Sequence, residues 1–321
     1  MAHTQSMDQS YRLDKAQLQA LYQTKPHLHA FHMFLNWVFM LGTAYLCSIY
    51  FNPFTYILAV VIIGARMHAL AILMHDATHF RFLNNRKLND AITNWTSMYP
   101  LYTSIEQYRP NHLKHHNNLN TEEDPDWFAK LGKKEFTFPK SKGEFLKTVL
   151  SYFTLVQGIK DSIWFVKRFS VAKVKNQSKK KSRSLNIQRI SFYIILVIAL
   201  SVLGLWKEYL MYWVIPYLST FFMFQYIRSV AEHFGELAYD HDLSNTRTII
   251  TNPLEKFFFA PHNVSYHLEH HLYPGVPYYH LEDLHDLLME KESYSDKAHI
   301  TQGFVSGLMN ELGNKKLTAL A

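Results

Sequence analysis

Apolar residues gather into four long runs separated by very unequal gaps. Residues 31–51 and 54–74 are parted only by Asn52 and Pro53, and residues 190–206 and 209–227 only by Lys207 and Glu208. Each run is 17–21 residues long, close to the ~20 needed to cross ~30 Å of hydrocarbon at 1.5 Å per helical residue. Backbone in lipid must satisfy its own hydrogen bonds, so these runs are predicted to be helices. The short gaps make each pair a hairpin. The pattern therefore predicts an all-α integral membrane protein with about four transmembrane helices in two hairpins. Residues 75–186 and 228–321 are left as a helical cap outside the bilayer.

Within the first of those cap segments, residues 143–169 place Phe145, Leu146, Val149, Leu150, Phe153, Val156, Ile159, Ile163 and Trp164 at helical spacing. This predicts one amphipathic helix lying on the membrane or against the cap. A weaker apolar run at 91–105 is too short to span and is expected at the interface. There is no internal repeat and no Gly/Ser-rich linker, so residues 1–321 are read as one unit.

Mean hydropathy is only −0.15, which fits a few embedded segments joined to a larger polar part. The net charge of +7 suits anionic lipid, nucleic acid or an acidic protein partner. Its distribution is more informative. Lys167, Arg168, Lys173, Lys175, Lys179, Lys180, Lys181 and Arg183 precede the third run, whereas the two hairpin turns hold only Lys207. The positive-inside rule then puts both termini and the central segment in the cytoplasm. The basic cluster reads as a lipid-surface stretch, and no nucleic-acid-binding signature accompanies it. The N-terminal stretch, with Asp8 and Asp14, lacks a signal peptide's basic and apolar regions, so the apolar runs are expected to act as anchors. Cys47 is the single cysteine. It excludes a disulfide within the chain and any thiolate metal cluster.

Histidine carries the chemistry. Of 19 histidines, eight fall into three boxes: His75 and His79; His112, His115 and His116; His267, His270 and His271. The HxxHH pattern is expected less than once by chance at this frequency, and it occurs twice. On a helix, His75 and His79 stack on one face, directly after the second run. In each HxxHH box the first ring shares a face with the later two. Eight imidazoles exceed one tetrahedral zinc site, so two metals sharing eight or nine histidines is the economical reading. Imidazole suits iron, copper, nickel and zinc; redox iron is favoured because the boxes lie beside lipid and away from any aqueous hydrolytic cleft.

These boxes, in this order and placement, resemble the membrane fatty-acid desaturase and hydroxylase superfamily. Supporting stretches are RPNHLKHH at 109–116, NTEEDP at 120–125, RSVAEH at 228–233 and NVSYHLEHH at 263–271, followed by LYP at 272–274 and VP at 276–277. The resemblance covers roughly residues 70–280. It implies a di-iron centre in the cytoplasmic cap that uses O2 to attack an unactivated C–H bond. The ligands it implies are His75, His79, His112, His115, His116, His267, His270 and His271, with His233 as a ninth. Asn263 is a candidate weak or water-mediated ligand. Asp76, Glu232 and Glu269 are the expected hydrogen-bond partners of ligating rings, with Asp124 and Asp126 behind them. Arg66 and His68, inside the second run, are suspects because ionisable groups there are costly.

The expected reaction is desaturation of a long acyl chain on a membrane lipid or acyl carrier. The four-residue spacing of the first box looks like the acyl-lipid type. The chain shows no His-Pro-Gly-Gly signature of a fused cytochrome b5, so electrons are expected from a separate ferredoxin or cytochrome b5 type of donor. Hydroxylation or ketolation of a lipid or carotenoid on the same scaffold is the nearest alternative. A metal transporter would place its ligands mid-membrane, and a zinc protease would need a Glu where Asp76 stands. Bacterial inner membrane and endoplasmic reticulum both suit the sequence.

Overall fold

A computed structural model describes residues 8–167, 179–235, 237 and 242–313. The protein is a predominantly helical membrane protein with four helices long and apolar enough to cross a bilayer: Pro26–Ile49, Pro53–Thr78, Leu185–Leu203 and Trp206–His233. Apart from their ends, the four apolar runs lie in these helices. The second helix outlasts its run because it continues unbroken through His75 to Thr78. Its start is set by Asn52, whose side chain accepts from Phe54 N and Thr55 N while Thr55 reaches back to Asn52 N. Pro53 suits the first helical position, where an N–H would have no partner.

The four helices are not equivalent. The second is 78% buried within the protein and the fourth 61%, against 22% for the first and 6% for the third. The second and fourth therefore form the structural axis, while the third packs at the periphery with its residues mostly exposed or half-buried. Gly64 allows the axis to close: a Cβ there would run into the side chain of Thr220. Thr220 Oγ1 in turn donates to the carbonyl of Val60 at 2.6 Å. A small residue and an interhelical hydroxyl bond are the usual means of bringing helices together in lipid. Trp37 of the first helix stacks on Trp213 of the fourth, with centroids 5.2 Å apart.

The amphipathic segment departs from expectation. Instead of one helix over 143–169, it forms Lys142–Ser151 and Val156–Val166, joined by a short turn. The break is at Leu155, which takes a left-handed φ of 64°. Both halves still turn an apolar face outward through Leu146, Leu150, Val156, Ile159 and Ile163. The apolar periodicity runs across the turn, so the pattern alone did not reveal the break. Gly158 permits the second half to touch the fourth span, where a Cβ would strike the carbonyl of Leu218. In the basic cluster, Arg168, Lys173 and Lys175 lie outside the described residues, and Lys179–Arg183 open the helix Lys179–Leu203.

The cap is built from the helix Ile105–Asn117, the loop and short helix Pro125–Phe128, and the segment after the fourth span. Strands Thr248–Ile250 and Ile300–Gln302 pair in parallel at its edge.

Candidate metal centre

Each histidine box sits on a helix, and helical geometry decides where its rings go. His75 lies in the last turn of the second span and His79 ends it. His112, His115 and His116 occupy the last turns of Ile105–Asn117, and His267, His270 and His271 form most of the helix His267–Leu272. Tyr108 stacks on His112 at 5.4 Å. Arg109 locks this helix to the second span, donating from Nε to Thr78 O at 2.8 Å and pairing with Asp90 at 2.6 Å.

The rings gather into two sets. His75, His79, His112, His116 and His270 form one, and His115, His233, His267 and His271 the other, with one ligand atom per residue and all atoms of a set within 4.8 Å of each other. The two HxxHH boxes contribute reciprocally. From the second box the i,i+4 pair His112 and His116 joins the first set, and His115 the second. From the third box the i,i+4 pair His267 and His271 joins the second set, and His270 the first. The sets adjoin, with the His116 and His271 rings 4.3 Å apart.

Nitrogen spacing tests the fit to metal. In the first set, His112 Nε2 lies 2.8 Å from His79 Nε2 and 3.0 Å from His116 Nε2, and His116 Nε2 lies 3.1 Å from His270 Nε2. In the second, His267 Nε2 is 3.0 Å from His233 Nε2 and 3.1 Å from His271 Nε2. A ring nitrogen has one hydrogen or one in-plane lone pair, so His112 Nε2 cannot satisfy both neighbours by hydrogen bonding. Neighbouring nitrogen donors on one metal ion lie about 3.0–3.4 Å apart for bonds of ~2.1 Å, and these spacings are close to that range. His75 Nε2, buried and with no hydrogen-bond partner among the described residues, belongs to the same set.

Electrostatics agree. Burial first, and repulsion from neighbouring rings second, holds His112, His116, His267, His270 and His271 well below the ordinary histidine range. Burial, with Arg81 and Arg109 behind it, lowers His79 to about 3. Neutral imidazole is the form that ligates metal.

Two carboxylates stand behind ligating positions. Asp124 Oδ2 accepts from His115 Nδ1 at 2.8 Å and from Asn120 N at 3.0 Å. Burial would raise its pKa, but these bonds and that from Trp127 N outweigh it, and its carboxyl is held low. Glu232 Oε1 lies 3.4 Å from His267 Nδ1 and accepts from Arg228 Nε at 2.5 Å.

Asp76, Glu269 and Asn263 are placed elsewhere. Asp76 Oδ1 accepts from Tyr278 N at 3.1 Å, and its other oxygen lies 3.5 Å from His29 Nδ1. Glu269 is fully buried among His285, Tyr294 and Thr248, taking a bond from each. Asn263 donates to Tyr278 O at 3.1 Å and belongs to neither set. Asp126 lines the cavity described next, and His68 is buried against Phe224. Sequence reasoning gave no role to Arg109 or Arg228. A basic residue one turn before a ligand (Arg109), or four residues before a buried acid (Arg228), is the signal that points to each.

A cavity of about 190 Å³ opens onto both sets. It touches His75 and His112 of the first and His115, His233 and His267 of the second, and Phe136, Trp164, Phe165 and Phe222 give it an aromatic wall. On the opposite face of the fourth span lies a second, wholly apolar cavity of about 510 Å³, between Phe145, Met223 and Phe304.

Residues 51–303 match the family model of fatty acid desaturases. Dihydrorhizobitoxine desaturase from Bradyrhizobium elkanii is similar, 30% identical over 268 residues that cover 78% of this chain and 73% of that protein. The omega-3 fatty acid desaturase fat-1 of Caenorhabditis elegans is 25% identical over 251 residues, 72% of this chain and 60% of that protein. All nine clustered histidines fall within the matched region, and the chain belongs to the fatty acid desaturase family.

Proposed function

We propose that this protein desaturates a long acyl chain, using O2 and a pair of irons held by His75, His79, His112, His116 and His270 on one side and His115, His233, His267 and His271 on the other. The observation that carries this reading is the single cavity bordered by both sets. The reaction balances as R–CH2–CH2–R′ + O2 + 2 e⁻ + 2 H⁺ → R–CH=CH–R′ + 2 H2O. Iron bound by these imidazoles supplies the oxidising power needed to remove hydrogen from an unactivated C–H bond.

The chain's own residues do the rest. Phe136, Trp164, Phe165 and Phe222 hold an aliphatic segment against the histidines and keep water out. Such orientation of reacting groups accounts for several kcal/mol of a barrier. Asp124 and Glu232 fix the rings of His115 and His267 so that one nitrogen of each faces its set. Both termini and the cap lie in the cytoplasm, and a separate ferredoxin or cytochrome b5 type of carrier delivers the electrons. The names of the two relatives differ in substrate, so the acyl assignment rests on the family and on the aromatic wall of a cavity that is also lined by Asp126, Lys130, Lys133 and Asp161.

Lipid profiling of cells expressing wild type and His116→Ala tests the proposal. The expected result is a product two mass units lighter than its parent, absent in the variant. A gain of sixteen would show oxygen insertion, and identical profiles would sink the reading.

A further inference from the structure

The second span carries an arginine in its interior, Arg66, at 7% exposure. An ionisable group at such a position requires a reason. Arg66 is absent from the cavity that borders the histidines. It reaches the segment that precedes the third histidine box: its guanidinium donates to the carbonyl of Phe257 and stacks 3.8 Å over that residue's ring. Its other arm approaches Asn36 Oδ1 of the first span at 3.5 Å. Asn36 Nδ2 lies 3.1 Å from His262 Nε2.

That segment is strained. His262 and Asn263 are consecutive residues in the left-handed region, with φ of 56° and 55°. Side chains with a Cβ disfavour this conformation, and it persists only when the surroundings hold it. Four residues later begins the helix His267–Leu272, six residues long and too short to form unaided. It gives rings to both sets, so the path by which the backbone enters it bears on both.

We infer that Arg66, with Asn36, is a positioning residue for the third histidine box, clamping residues 257–263 in the left-handed turn that aims His267, His270 and His271. This rests on the nine-histidine site and not on the identity of the substrate.

Hydrogen exchange on the full chain in lipid nanodiscs, with and without ferrous iron, tests the clamp. In Arg66→Met, amides of residues 264–272 exchange roughly ten- to hundred-fold faster, the effect of losing a buried bond from a charged donor, while 105–117 stay at the wild-type rate. Arg66→Lys keeps a donor for Phe257 O and recovers part of the protection. Adding His262→Gly and Asn263→Gly to Arg66→Met also recovers part, because glycine adopts left-handed φ without the Cβ penalty the clamp has to overcome. Should Arg66→Met not fold, Asn36→Leu and Arg66→Lys are read in its place, each with exchange confined to 257–272. Faster exchange along 53–78 with 257–272 unchanged would make Arg66 a mere anchor of its span and overturn the inference. Failure of the glycine pair to recover any protection would also count against it. Exchange in the metal-free chain is read without catalysis, so a protein inactive on acyl lipids leaves this outcome legible.

Discussion

Asp124 accepts a hydrogen bond from His115 Nδ1 at 2.8 Å, and both residues are buried. The bond crosses nine residues of chain and turns the opposite nitrogen of His115 toward the second histidine set. Partners of this kind change metal affinity by about 10–100-fold when removed. Asp124→Asn is therefore expected to weaken metal binding by that factor in the set of His115, His233, His267 and His271, and far less in the other. Titration of the metal-free protein with ferrous iron checks it; equal weakening of both sets would show a general loss of structure.

The frame of the third box should depend on pH. Burial alone would lower the pKa of His285, but its bond to Glu269 and the charges of Glu269, Asp286 and Glu282 outweigh burial and raise it above 6.5. A raised pKa gives stability that is complete below 6.5 and disappears as pH climbs through the folded value. The clustered histidines, kept neutral by burial, work the other way and destabilise the metal-free fold as pH falls toward 6, so its melting temperature is expected to rise overall from pH 6 to pH 9. His285 opposes that rise, and His285→Asn should steepen it. An unchanged slope in the variant would remove His285 as a contributor.

Close packing of the cap against the fourth span predicts intolerance at Gly158. A Cβ there meets the carbonyl oxygen of Leu218, which belongs to a helix backbone and cannot swing aside as a side chain would. Gly158→Ala should cost about 1–3 kcal/mol by overpacking, read as a lower melting temperature in detergent. Gly143→Ala is the control, since nothing lies within 4 Å of its added carbon.

Substrate placement should respond to Trp164, which lines the cavity shared by the histidine sets. Trp164→Ala enlarges that cavity without touching a clustered histidine. The proposed reading predicts a changed product pattern, with a shifted double bond or a longer accepted chain, and iron content equal to wild type. Gas chromatography of the lipids decides; loss of all product together with iron would point to collapse of the site.

Much of this architecture was legible in the chain because membrane length and helical spacing are strong signals. The four spans follow from unbroken apolar runs, and the three boxes from histidines three and four apart. The carboxylates were harder. Asp76 adjoins His75 and Glu269 adjoins His270, yet neighbours on a helix point about 100° apart, so adjacency to a ligand turns a side chain away from it. Those two acids serve other partners, Tyr278 N and the group of His285, Tyr294 and Thr248. The acids that do stand behind clustered rings, Asp124 at His115 and Glu232 at His267, come from different segments. Only tertiary folding reveals such a pairing. Leu155 was hidden for a related reason: apolar spacing reports which side faces lipid, and that side is the same before and after the turn.

The reciprocal division of the two HxxHH boxes has a consequence for how the protein fills. Every helix bearing such a box is committed to both positions at once, two rings to one and a single ring to the other. Seating the first ion therefore orders helices on which the second ion also draws. The same sharing means that inserting one residue between His115 and His116 would rotate a donor out of its set, so the interval between those two histidines is as essential as their identity.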